Sequence, residues 1–186
     1  MKKLIGLIAC LFIVGGSSCA NDLAADAVEK YLNDYKSLNN YVLEDIAELV
    51  ESENLTEKGK DTYKEVLKRQ YRHLIYTIEN EEYDGDTAKV TVKITVYDLY
   101  KAQEEASDYL NTHPEEFLTD GEYDNDLYME YKLETMKDTN DTISYNIVFT
   151  VTKSSGKWYV EQPDEETLEK IHGVYKHFKG DCYLVE

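Results

Sequence analysis

The chain has 186 residues, with 38 acidic against 20 basic side chains and a formal net charge of −18 at neutral pH. Such a surface repels phosphate backbones and anionic headgroups, because binding to either depends on basic side chains, so nucleic acid and a polybasic membrane contact are excluded as expected partners. The acidity is spread through every segment, the pattern of a solvated surface that keeps a protein soluble. With 42% apolar residues in a single domain, about 70% of the unfolded chain's surface can be buried, which provides for an ordinary core. Three cysteines are present, Cys10, Cys19 and Cys182. The first two lie in an N-terminal leader, which leaves Cys182 with no internal partner and the character of a small, inert thiol.

Met1-Lys2-Lys3 and the eleven-residue run from Leu4 to Val14 form the basic start and apolar stretch of a secretory signal peptide, too short to span a bilayer. Next comes Gly15-Gly16-Ser17-Ser18-Cys19, which resembles a bacterial lipobox, with Gly16 where Leu is usual. The resemblance implies cleavage before Cys19, lipid attachment to its sulfur, and retention at the outer face of the cell membrane. Ser18-Cys19-Ala20 also fits ordinary cleavage after Ala20, which would release a secreted protein, and Leu7-Ile8-Ala9-Cys10 matches the box with six apolar residues ahead of it. The expected division is 1–19 as lipoprotein signal peptide and 20–186 as one domain with a short C-terminal helix and tail. Without Lys2 and Lys3, 18 basic residues face 38 acidic ones, a net charge of −20.

In the mature chain, Asn21-Asp22 reads as the N-cap pair of a first helix, with Leu23, Ala24, Ala27, Val28, Tyr31, Leu32 and Tyr35 at spacings of three and four. Asn39-Asn40 interrupts it. A second helix carries Leu43, Ile46, Ala47 and Val50, and Thr56 caps a third lined by Tyr63, Val66, Leu67 and Gln70. Each is amphipathic and is expected to lie on a sheet with its other face in water.

The strand signal is clearest from Ala88 to Val96, where β-branched apolar residues alternate with polar ones without a break. Leu74 to Tyr83 forms the other arm of a hairpin across Asp84-Gly85-Asp86. Leu74, Tyr76 and Ile78 share one face of that arm. A two-residue Asp84-Gly85 turn would put this face opposite to Ala88, Val90, Val92, Ile94 and Val96. The mismatch predicts a three-residue loop or a β-bulge within Glu79–Glu82. The bulge, and with it a strongly bent sheet, is expected.

Asp98 caps a fourth helix that ends at His113-Pro114, because the residue before proline avoids helical dihedrals. Glu115 to Tyr123 reads as acidic and irregular, with Gly121 as a breaker. Asp124-Asn125 opens a fifth helix whose broad apolar face holds Leu127, Tyr128, Tyr131, Leu133 and Met136. Ile143, Tyr145, Ile147, Phe149 and Val151 mark a third strand. Trp158 and Val160 mark a fourth, across a four-residue loop Lys153-Ser154-Ser155-Gly156. Pro163 suits the first position of a short helix with Leu168 and Ile171 facing in, and Gly173 suits its end. The aromatic tail from Val174 carries no assignment.

Helices, a hairpin, inserted helices and a second hairpin give an α+β plan: a curved antiparallel sheet of about four strands covered by N-terminal helices. The order, together with Ile78-Glu79-Asn80-Glu81-Glu82-Tyr83-Asp84-Gly85-Asp86-Thr87-Ala88-Lys89-Val90, Gly156-Lys157-Trp158-Tyr159-Val160 and Lys170-Ile171-His172-Gly173-Val174-Tyr175, resembles the NTF2-like (cystatin-like) superfamily. In particular it resembles small Gram-positive lipoproteins in families of unknown function. The resemblance covers most of the chain after Leu23 and implies a cone whose concave sheet face and covering helices can enclose a pocket. Its members include isomerases, dehydratases and non-enzymatic accessory domains, so fold leaves function open.

The chain holds no Gly-rich phosphate loop, His-Glu-x-x-His, paired-Cys motif or Gly-x-Ser-x-Gly elbow. His73, His113, His172 and His177 are scattered, and His172 and His177 do not share a helical face. Asp120–Asp126 and Asp138–Asp141 look like calcium loops but lack the Gly and Glu positions such loops need, so turn and cap chemistry is expected there and no metal or cofactor. Seventeen tyrosines stand against four phenylalanines. Tyr suits core edges and wet clefts alike, since its ring is apolar and its tip polar. Tyr76, Tyr145 and Trp158 are the candidate pocket-lining residues.

The expected function is a non-enzymatic envelope lipoprotein whose domain binds a small molecule or a protein. A pocket enzyme of isomerase or dehydratase type and an immunity-type lipoprotein are the alternatives. Cys19→Ser is expected to move the protein from the membrane fraction to the medium, read by fractionation and blotting, since a two-chain anchor at one residue suffices for stable attachment. Retention in the membrane would contradict the assignment.

Overall fold

The structure, a computed structural model, describes residues 23–176. The leader with Cys10 and Cys19, the Asn21-Asp22 cap, and the tail with His177 and Cys182 lie outside the described residues. Six helices and six strands follow one another: α1 (Ala24–Ser37), α2 (Asn40–Glu51), α3 (Glu57–His73), β1 (Ile75–Asp84), β2 (Thr87–Tyr97), α4 (Leu99–Thr112), β3 (Leu118–Thr119), β4 (Glu122–Tyr123), α5 (Asn125–Asp138), β5 (Thr142–Ser154), β6 (Lys157–Val160) and α6 (Glu165–His172). The fold class is α+β. Its main sheet is open and antiparallel in the order β1-β2-β5-β6.

The alternation in β2 decides the sheet's two faces. Val90, Val92, Ile94 and Val96 are fully buried, and Phe149, Ile147, Tyr145 and Ile143 of β5 lie directly across from them in that order. Thr, Lys, Ser and Asn make up most of the other face, with Ile75 and Val148 exposed among them; there Glu82 lies across from Lys89 and the Thr95 and Ser144 hydroxyls are 2.8 Å apart. α1 and α3 cover the dry face, while α2 packs chiefly on α3 instead of reaching the sheet as its amphipathic pattern suggested. The α4–α5 pair, inserted between the two central strands, packs on α3 as a second helical layer.

The bulge predicted in β1 is present. Ile78 pairs with Val92 and Asn80 with Thr91, so Glu79 is the extra residue. Tyr76 and Ile78 therefore share the dry face with Ile94 and Val92, and beyond the bulge Glu81 and Tyr83 share it with Val90 and Ala88. The loop is the two-residue turn Gly85-Asp86. Gly85 alone has a positive φ (60°), the φ signature of a type II′ turn.

The re-aimed side chains have a task. α1 begins after Leu23, which has no side-chain cap, and its first N–H groups are satisfied from the strand instead. The Ala25 N–H donates to Glu81 Oε2 (3.0 Å), the Ala24 N–H to Tyr83 Oη (3.2 Å), and Tyr83 Oη donates to Glu81 Oε2 (2.6 Å). A carboxylate at a helix N-terminus meets both orphan donors and the positive end of the dipole.

Other ends follow local chemistry. Thr56, Asp98, Asp124 and Asp164 each accept a backbone N–H at the start of α3, α4, α5 and α6. Asp164 is the α6 cap, so Pro163 precedes the cap and does not occupy the first helical position. The β5–β6 loop is the two-residue Ser155-Gly156, shorter than the predicted four. Both residues have positive φ (53° and 81°), as a type I′ turn requires, and its even length preserves the expected facing of Trp158 and Val160. The segment read as irregular contains a 3-10 turn (Pro114–Phe117) and a second positive-φ turn, Asp120-Gly121, between β3 and β4.

Deleting Glu79 is expected to force Glu81 and Tyr83, or Tyr76 and Ile78, onto the wet face and to uncap α1. The loss should exceed about 2 kcal/mol, since a lost cap alone costs about 1 kcal/mol. Urea unfolding checks this, and unchanged stability would contradict the role given to the bulge.

Candidate functional site

The dry face of the sheet is filled by side chains, and a mainly apolar hollow lies one layer further out. It encloses about 410 Å3 between the α2–α3 connection, α3, α4, α5 and α6. Leu55, Leu67, Leu99, Met129, Leu133 and Leu168 give it an apolar wall, and no strand residue lines it. Size and lining match the usual small-molecule site, a mainly apolar hollow with a few polar groups.

α5 explains why the hollow exists. Its apolar residues spread around most of its circumference, more than its contact with α3 can cover, and α6 arrives across the gap. Lys132 sits between Tyr131 and Leu133 on this face, and Glu53 reaches in from the end of α2. Burial raises the Glu53 carboxyl above its ordinary range and lowers the Lys132 ammonium below its own, while their mutual attraction opposes both shifts. The two form no ion pair, so each charge is partly stripped of water without direct contact with the other. Tyr63 is pushed up by burial, with a further push from Glu53.

α6 closes the hollow and is held by its end. Gly173 has φ 71°, and a Cβ there would stand 2.2 Å from the Tyr97 carbonyl oxygen, so only glycine fits. Its own carbonyl accepts from the Tyr100 N–H (2.8 Å). Gln70, wholly buried in α3, donates to that same Tyr97 carbonyl (3.2 Å). His172 lines the hollow with its Nδ1 2.9 Å from Tyr71 Oη, and burial pulls its imidazole down to about 4.

The candidate residues read from sequence lie elsewhere. Tyr76 points to the dry face at the sheet edge, donates to Asn33 Oδ1 (3.0 Å) and carries Lys36 over its ring. Tyr145 lies across from Ile94 with Tyr175 edge-on at 5.8 Å, and burial raises its hydroxyl. Trp158 is in the core, edge-on to Tyr83 at 5.6 Å, under Lys153. The structure brings none of the three to the hollow. Other rings form a packed run, Phe149–Tyr31–Tyr35–Tyr71–His172, at 5.0–5.6 Å between successive centroids, which ties the sheet to α1, α3 and α6. Sequence reasoning missed Glu53 and Lys132. The available signal was the excess breadth of the α5 apolar face, with a lysine set in it.

Among the described residues, no group of three or more His, Cys, Asp or Glu side chains is placed to hold a metal, and no helix is long and apolar enough to cross a membrane. Comparison of the chain with protein-family models, curated proteins and solved structures returned no match.

The His172 shift carries a pH prediction. The unfolded imidazole takes a proton near pH 6.5 and the folded one only near 4, so the unfolded state binds more protons in between, and stability falls as pH falls through that window. At about 1.4 kcal/mol per unit the loss approaches 3 kcal/mol. Urea unfolding at pH 7 and pH 4 is expected to show this slope in the wild-type chain and a shallower one in His172→Phe. Equal slopes would contradict the assignment.

Proposed function

We propose that the chain is a cell-envelope lipoprotein, anchored at the outer face of the membrane through Cys19, whose NTF2-like domain is a non-enzymatic binding module for a small amphipathic molecule. The observation that carries the reading is the 410 Å3 hollow in which Glu53 and Lys132 are desolvated without being paired. Both shifts run in the direction that costs stability at neutral pH, since each group would be easier to hold neutral. A ligand with an apolar body and a polar head offsets that cost by giving either charge a partner. The NTF2-like assignment is supported by the order of elements and by helices confined to one face of an open sheet with a bulged edge strand.

One observation favours a second reading, a pocket enzyme of isomerase or dehydratase type. A carboxyl raised by burial beside a lysine in an apolar hollow is how general bases are tuned. In that reading Glu53 is the base and Lys132 steadies the charge formed.

The test uses octanoate, octylamine and 8-aminooctanoate as probes, read by thermal unfolding and by amide shifts. At least one is expected to stabilise the protein, by about 2.7 kcal/mol at a hundredfold excess over its dissociation constant. Met129→Trp, which fills the hollow from a half-buried position, is expected to abolish the effect. No stabilisation by any probe, or equal stabilisation of the variant, would contradict the reading.

A further inference from the structure

We propose that the flank of α3 facing the end of β2 is a binding site for a small phosphoryl anion. Glu65, Lys68, Arg69, Arg72 and His73 recur at spacings of three and four and so share one helical face, where with Tyr97 they line an open surface bowl of about 510 Å3. Arg69 and Arg72 are the only arginines in the chain. In a protein with 38 acidic residues, Lys68, Arg69 and Arg72 stand together on this face with no carboxylate within ion-pair distance among the described residues. The one acid in the bowl, Glu65, lies 3.4 Å from Lys137. The bowl is therefore a concentrated positive patch on a strongly negative molecule.

The arrangement is also pre-organised. The Arg69 guanidinium lies 3.7 Å from the centroid of the Tyr97 ring and donates to Asn140 Oδ1 (3.1 Å), while the His73 ring stacks on Tyr97 at 3.9 Å. Two groups this close to one centroid must take opposite faces, so Tyr97 is inserted between side chains one helical turn apart. The guanidinium is held in one orientation with further N–H donors for an incoming oxyanion, and a planar fork of donors matches phosphate oxygens. Three cations suit a phosphate dianion better than a single carboxylate.

The same charge distribution selects among sources of phosphate. A lipid surface or a polyanion meets the acidic remainder of the molecule, whereas a small anion in the bowl sits beyond most of that field, which is screened over about 8 Å at physiological salt.

Isothermal titration of the full chain with inorganic phosphate at physiological ionic strength tests the proposal. Saturable binding is expected, weakened about tenfold or more by Arg69→Gln and by Arg72→Gln, and unchanged by Lys153→Gln, which lies on another face. Thermal unfolding of each variant establishes that it is folded. Glycerophosphoglycerol, a diester with the chemistry of a lipid headgroup, is expected to bind about tenfold more weakly than phosphate. Absence of saturable phosphate binding, or binding indifferent to both arginines, would overturn the proposal, and equal or tighter binding of the diester would overturn its assignment to a small free anion.

Discussion

A strand whose side chains alternate can keep only one face dry, and β2 fixes which face that is for the whole domain. Its five buried residues set the facing of β5 directly and of β6 through a turn of even length. β1 is the exception, because its apolar residues fall on the wrong parity beyond Ile78, and one extra residue, Glu79, corrects it. The correction is more than a matter of register. It brings Glu81 and Tyr83 to the N-terminus of α1, which has no cap of its own, and so links the edge of the sheet to the helix that covers it. Sheet register, helix start and the closing of the dry face are therefore one constraint.

Much of this is legible from the chain alone, because period two, period three-to-four and cap residues are local signals. The bulge is the clearest case, since the mismatch between Ile78 and the β2 face has few remedies. Turn lengths were less legible: Ser155-Gly156 does the work assigned to four residues, since parity fixes only whether a loop is even. The part Glu81 and Tyr83 play at the start of α1 is not legible in the chain, because side chains arriving from another element leave no local pattern.

The hollow was invisible for a related reason. A strand period shows that Tyr76, Tyr145 and the residues around Trp158 face inward, but it does not distinguish facing a cavity from facing a packed layer. The sheet's dry face is instead filled by α1 and α3, with tyrosine rings completing the packing. Space is left where α5 offers more apolar surface than its neighbours cover and α6 spans the gap, and no pairwise sequence pattern encodes a gap between three helices. α6 holds its place through Gly173, Gln70 and the Tyr71–His172 contact, so a short C-terminal helix controls whether the hollow has a wall.

The central claim is that accessible apolar space lies among the helices and not between helices and sheet. Xenon-pressurised crystals measure this directly, because xenon occupies dry apolar cavities. The account predicts xenon beside Met129, Leu133 and Leu168. Xenon seated instead against Tyr76 and Tyr145 on the sheet face, or an unoccupied helical hollow, would contradict it.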